Sequence, residues 1–169
     1  MFRKPRGSSL QRDPLSFEET SKILDRNYYC TFTTNGEEGY PVSIPMNYAW
    51  DGEYVYLHGN GMVGEKITNI KRDSKVCVTV YETDPDTGAQ PLGTHYSVVL
   101  KGDAEILMGE DAVKGLRMIS VASGMPFKAE DDYIMPRLPM TCTIRVKPVH
   151  LVGRCVKFGA QPGASPKAK

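Results

Sequence analysis

Two short turn signals, Asn35-Gly36 and Asp51-Gly52, restrict this chain more than any other feature of its sequence. Each stands between runs rich in β-branched and aromatic residues: 28–34 before the first, 40–50 between the two, and 53–58 after the second. Such pairs reverse the backbone tightly because both residue types tolerate the conformations a hairpin turn requires. Three strands therefore follow one another antiparallel before any parallel pairing can begin.

The flanking segments fit the same architecture. Ser16-Phe17-Glu18-Glu19 reads as a capping box, in which Ser and Glu satisfy each other's exposed backbone donors. Ile23 and Leu24 supply the buried stripe of a short helix ending near Asn27. After His58 comes a glycine-rich turn, 59–64, and then a helix with Ile67 and Ile70 on one face. Residues 75–81 (KVCVTVY) form a buried strand, 83–93 a loop around Asp84-Pro85-Asp86 and Thr87-Gly88, and 96–107 a long strand. A helix over 111–123, an irregular stretch over 125–139 with three prolines, and one or two strands over 140–157 complete the chain. Six or more strands, mostly hairpin-linked, with a few short helices point to a barrel or closed antiparallel sheet.

The 169 residues suit a single domain, expected over 14–158. Residues 1–13 read as a flexible arm, basic at Arg3, Lys4 and Arg6, and 159–169 (GAQPGASPKAK) as a disordered tail. With Lys+Arg 21 against Asp+Glu 20, no bulk attraction to nucleic acid or acidic lipid is expected. No apolar run reaches the ~20 residues of a membrane helix. Cys30, Cys77, Cys142 and Cys155 are widely spaced, and no secretory segment implies an oxidising compartment, so free thiols in a soluble cytoplasmic protein are the expectation.

Residues 59–64 match G-x-G-x-x-G between a strand and a helix, and Glu82 ends the next strand where a ribose-binding acid would sit in a dinucleotide fold. The preceding strand is the third of an antiparallel meander, however, and too few helix–strand units follow to build a doubly wound sheet. A nicotinamide-binding Rossmann enzyme is therefore a weak alternative. The physics of the loop does not depend on that fold. A helix N-terminus presents unpaired N–H groups, glycines permit close approach, and Lys66 adds a full positive charge, so an anion such as phosphate suits this point. The competing reading is a β–α turn with a solvated lysine.

Taken in order, several segments resemble the FMN-binding split barrels of the pyridoxamine 5'-phosphate oxidase-like superfamily. They are 40–48 (YPVSIPMNY), the Asp51-Gly52 turn, 54–58 (YVYLH), Gly64-Glu65-Lys66 and the helix ending in Arg72-Asp73. The chain is most similar to the nitroimidazole-resistance (Nim-like) reductases, with 75–78 (KVCV), 96–102 (YSVVLKG) and Val152-Gly153-Arg154 matching later strands. The resemblance implies a mainly β, six-stranded Greek-key split barrel. It implies a homodimer holding two FMN molecules at the subunit interface and acting on a small-molecule redox substrate. Carried over position by position, Ile44, Pro45, Met46 and Asn47 would line the isoalloxazine, His58 and Gly59 would stand beside it, Lys66 would bind the phosphate, and Ser97 would reach the flavin from an adjacent strand. Glu65 departs from the pattern, standing where the family carries Arg.

His58 is the one candidate catalytic side chain, a proton donor or substrate contact beside the flavin, and its competing role is structural. His95 and His150 lack cysteine or carboxylate neighbours at ligand spacing, so no metal site is expected. The leading expectation is an FMN-dependent oxidoreductase passing electrons to an acceptor such as a nitroaromatic. The alternative within the same fold is a non-catalytic flavin or haem binder.

Overall fold

The computed structural model describes residues 10–84, 93–125 and 127–158. Strand β1 spans Leu10–Pro14, helix α1 Phe17–Arg26, β2 Tyr29–Asn35, β3 Pro41–Trp50 and β4 Val55–Asn60. They are followed by α2 Glu65–Arg72, β5 Lys75–Thr83, β6 His95–Leu107, α3 Glu110–Ala122, α4 Phe127–Ile134, a 3-10 turn Met135–Arg137 and β7 Thr141–Phe158. Every strand pairing is antiparallel. The strand order β7-β4-β3-β2-β5-β6 closes because β6 also pairs with β7, which makes a six-stranded barrel. An antiparallel barrel leaves no place for the Rossmann alternative.

The eighteen residues of β7 make closure possible. One edge of this strand pairs with β4 over 141–146 and, further along, with β1 over 154–158, while its other edge pairs with β6 over 143–156. A bulge opposite Lys101/Gly102 lets the strand bend as it changes neighbours. Strand β1 corrects the expectation of a solvated arm through residue 13. Leu10–Pro14 pairs in register with Phe158–Arg154, occupying an edge that β4 is too short to cover. Its sequence, LQRDP, has no apolar alternation, so nothing local marks it as a strand. Residues 1–9, most of the 83–93 loop and the tail 159–169 lie outside the described residues.

Alternation places Phe32, Tyr48, Val78, Val80, Val98, Leu100 and Ile144 inside the barrel, where α1 adds Ile23 and Leu24 and α2 adds Ile67 and Ile70. On β4 both faces are buried. Val55 and Leu57 face the barrel core, and Tyr56 faces outward to pack with Ala49 and Ile119 under α3. The capping box forms as expected: Ser16 Oγ accepts from Glu19 N–H at 3.2 Å, and Ser16 N–H donates to Glu19 at 2.8 Å. The first hairpin is present but longer than a two-residue turn, with Gly36 N–H donating to Tyr40 O at 2.9 Å across the loop. Asn35 does not cap this turn because its amide donates to Asp73 at 2.8 Å and its carbonyl accepts from Arg72, which ties it to the end of α2. The stretch 125–139, expected to be irregular, holds α4 and the 3-10 turn. All four cysteines are free thiols, and burial pushes Cys30 up to about 12.

Candidate functional site

Strand β4 changes character at its end, from the buried Val-Tyr-Leu to the more exposed His-Gly-Asn. His58, Gly59 and Asn60 pair with Thr143, Cys142 and Thr141 of β7, and Pro45–Asn47 of β3 run alongside. These residues border a cleft of about 640 Å³, closed by Lys66 from α2 and by Pro136, Arg137 and Met140. Its size lies within the ~300–1,000 Å³ usual for small-molecule and cofactor sites. Among the described residues the lining carries two cations, Lys66 and Arg137, and no carboxylate. The cleft thus favours an anionic ligand.

Lys66 packs closely over Gly59. A Cβ at residue 59 would lie 2.9 Å from Lys66 Cε and 3.5 Å from its Nζ. Without a side chain at 59 the lysine stem lies across the strand end with its ammonium at the cleft; a Cβ there would displace its flexible end by a few tenths of an ångström. The loop between them is organised from within. Asn60 Oδ1 accepts from Met62 N–H at 2.9 Å and Val63 N–H at 3.3 Å, Gly61 N–H donates to Met140 O at 3.0 Å, and Gly64 O accepts from Ile67 and Thr68. Most of the loop amides expected to cradle an anion are therefore occupied. The first amides of α2 and the Lys66 ammonium remain to meet it.

His58 points to the outer side of the barrel, the same side as Tyr56 two residues earlier. It keeps contact with solvent, yet its crowded setting and then the nearby charge of Lys66 hold its pKa below the ordinary histidine value. The imidazole is consequently neutral at pH 7. Asn47, also on the outer face, donates to Ser123 Oγ at the end of α3 at 3.3 Å.

Of the eight cofactor residues expected from the sequence, Pro45, Met46, Asn47, His58, Gly59 and Lys66 line this one cleft. Ile44 does not; it is half-buried against the barrel core opposite Phe32. Ser97 does not either, lying on β6 between Tyr81 and Arg154. Glu82, the ribose acid of the rejected dinucleotide reading, accepts from Arg26 and from Asn27 at 2.6 Å. Against the cost of burial, those bonds hold its carboxyl below the usual range. Arg137, Met140 and Thr141 were missed by sequence reasoning because only the fold of α4 and the 3-10 turn brings them to β4.

A six-stranded antiparallel split barrel with a cationic cleft at the end of β4 defines the class. The chain belongs to the pyridoxamine 5'-phosphate oxidase-like family, whose model, described as pyridoxamine 5'-phosphate oxidase, matches residues 16–154. Among solved structures it resembles a candidate 5-nitroimidazole antibiotic resistance protein from Bacteroides thetaiotaomicron VPI-5482. The identity is 17%, the TM-score is 0.71, and the match covers 94% of this chain and 97% of the other. It also resembles a FAD-binding protein from Mesorhizobium loti, at 20% identity and TM-score 0.64 over 88% of this chain and 99% of the other. A FAD-binding protein from Mycobacterium smegmatis matches at 17% identity and TM-score 0.56, over 85% and 98%. At these identities the likeness is one of fold. No curated protein matches the chain significantly. Among the described residues no helix is long and apolar enough to cross a membrane.

Proposed function

We propose that the protein is an FMN-dependent oxidoreductase that reduces a small acceptor, such as a nitroaromatic, in the cleft at the end of β4. The observation that carries this reading is the convergence of Pro45–Asn47, His58, Gly59 and Lys66 on one cleft whose charged lining, among the described residues, is cationic. Family membership and neighbours described as FAD-binding support a flavin in particular. Flavin, when bound, supplies a two-electron carrier between a reduced donor and the acceptor.

The chain's own residues bind, orient and polarise. Lys66 meets the phosphate with a charge-assisted hydrogen bond, and the β3 segment 45–47 offers a rigid edge for the ring system. His58, neutral at pH 7, donates a hydrogen bond from one ring nitrogen to an acceptor oxygen as negative charge develops there. A second reading, a flavin or haem binder without turnover, draws on Glu65, which places a negative charge at the start of α2 beside the phosphate position.

The absorption spectrum of purified protein separates these outcomes. Flavin bands bleached by a nicotinamide donor and restored by a nitroaromatic support the enzyme. A Soret band supports the haem binder, and a colourless protein that takes up no FMN refutes both flavin readings. His58→Ala is expected to retain flavin and melting temperature while losing turnover. Unchanged turnover in a stable, fully loaded variant would remove His58 from the chemistry.

A further inference from the structure

Behind His58 lies a second, more enclosed cavity of about 240 Å³, sandwiched between α3 and the α4 segment. Its walls are apolar, with Leu116 and Ile119 from α3 and Ile134 from α4, all buried. Three residues line both this cavity and the larger cleft: His58, Arg137 and Thr141. A ligand in the inner cavity would therefore share a wall with whatever occupies the outer one. Asn47 of the outer cleft is hydrogen-bonded to Ser123 of the inner cavity, which links the two compartments a second time.

We propose that the inner cavity is the acceptor subsite and takes a single planar ring bearing a negative charge. The ring would lie between Leu116, Ile119 and Ile134, with the charge turned toward Arg137. This assignment rests on the reading of the outer cleft as the flavin site.

Size sets the first limit. An apolar cavity of ~150 Å³ accommodates benzene, so 240 Å³ holds one substituted ring and excludes a nucleotide or a fused tricycle. Charge sets the second. Among the described residues the inner lining contains Arg137 and no carboxylate. Arg137 is held in place, its guanidinium 3.9 Å over the Tyr133 ring and its Nη1 donating to Tyr133 O at 2.8 Å. Among the described residues it forms no ion pair, so its remaining N–H groups stay available for a carboxylate or similar anion. A neutral ring gains the apolar contacts and at most a hydrogen bond without ion pairing, and cations are repelled. Hydroxyls of Ser120 and Thr141 add donors that suit the same anion.

The test compares 4-nitrobenzoate with its uncharged analogue 4-nitrobenzamide, by calorimetry on apo- and FMN-loaded protein and by perturbation of the flavin spectrum. The acid is expected to bind about tenfold or more tightly than the amide, a preference that Arg137→Gln abolishes. Ser120→Phe, which fills the cavity from α3, is expected to block both probes while leaving FMN affinity and melting temperature unchanged. The milder Ser120→Leu serves if the larger side chain lowers the melting temperature. Equal binding of acid and amide, or nitrobenzoate binding unaffected by either Ser120 variant, would overturn the proposal. Ser120-sensitive nitrobenzoate binding to a protein that takes up no FMN would uphold the subsite and refute the flavin reading. Normal FMN uptake with Ser120-insensitive binding would do the reverse.

Discussion

Lys66 and His58 form an electrostatic pair of like tendency at the mouth of the cleft. Burial and then Lys66 lower the histidine pKa, so Lys66→Ala should raise it part of the way toward ~6.5. Imidazole shifts followed by NMR against pH would show this, and an unchanged midpoint would mean that burial alone is responsible. The stability consequence has a definite sign. Between the lowered folded value and ~6.5 the unfolded chain binds a proton that the folded chain does not, so stability rises with pH across that window and is flat above it. Relative to His58→Asn, which does not titrate, the wild type should lose melting temperature as pH falls through that window and keep a constant difference above it. For the cofactor, Lys66→Ala is expected to weaken FMN binding by about 1.5–3 kcal/mol, the worth of a charge-assisted hydrogen bond, whereas Lys71→Ala, at the far end of α2, leaves it unchanged. Fluorescence titration of apo-protein measures both. Equal affinities would place the phosphate elsewhere.

At the scale of elements, α3 decides the shape of the site. It lies so close to the barrel that a Cβ at Gly115 would meet Thr143 Cγ2 at 2.3 Å and Tyr56 Cδ1 at 2.9 Å. Thr143 is itself fixed, its hydroxyl donating to Ala112 O at 2.7 Å. Gly115→Ala must therefore push the helix outward, and overpacking of this kind costs about 1–3 kcal/mol. Urea unfolding should register that loss. Because Leu116 and Ile119 ride on the same helix, binding in the inner cavity should change with it. Ser16→Ala provides the contrast: losing the cap of α1 costs about 1 kcal/mol yet leaves the cleft intact. A Gly115→Ala variant with unchanged stability and unchanged ligand binding would show α3 to be adaptable.

For the whole molecule the telling feature is an outer barrel face that, among the described residues, no helix covers. Tyr81 is 61% exposed and Val152 44%, and the register sets Tyr81 beside Ser97 and Val152 beside Val99 across β5, β6 and β7. Apolar strand surface of this kind suits a partner of the same sequence. Ser97 sits on that face and away from its own cleft, so a second copy docked there could receive it beside its cofactor. Sedimentation at micromolar concentration is expected to give one species near twice the 18.7 kDa chain mass. Val152→Glu should shift it to monomer and lower FMN affinity together. A monomer that holds flavin fully would refute a shared site.

The sequence by itself determined the strand succession, because hairpin turns and apolar alternation are local signals that tertiary context here does not oppose. It also determined the helix start at Ser16 and the identity of six residues around the cleft, since Pro45–Asn47, His58, Gly59 and Lys66 fall in or beside three short segments of the chain. Only the tertiary structure revealed β1, whose pairing depends on an edge of β7 more than 130 residues away and on nothing in its own composition. Tertiary structure also decided that the loop amides serve Asn60 and Met140 rather than an anion. Arg137 enters the site through the packing of α4 against α3, and no spacing in the chain encodes that contact. Local propensity and pattern act over a few residues, whereas a cavity is the space left by elements distant in sequence, and its lining follows from how they close on one another.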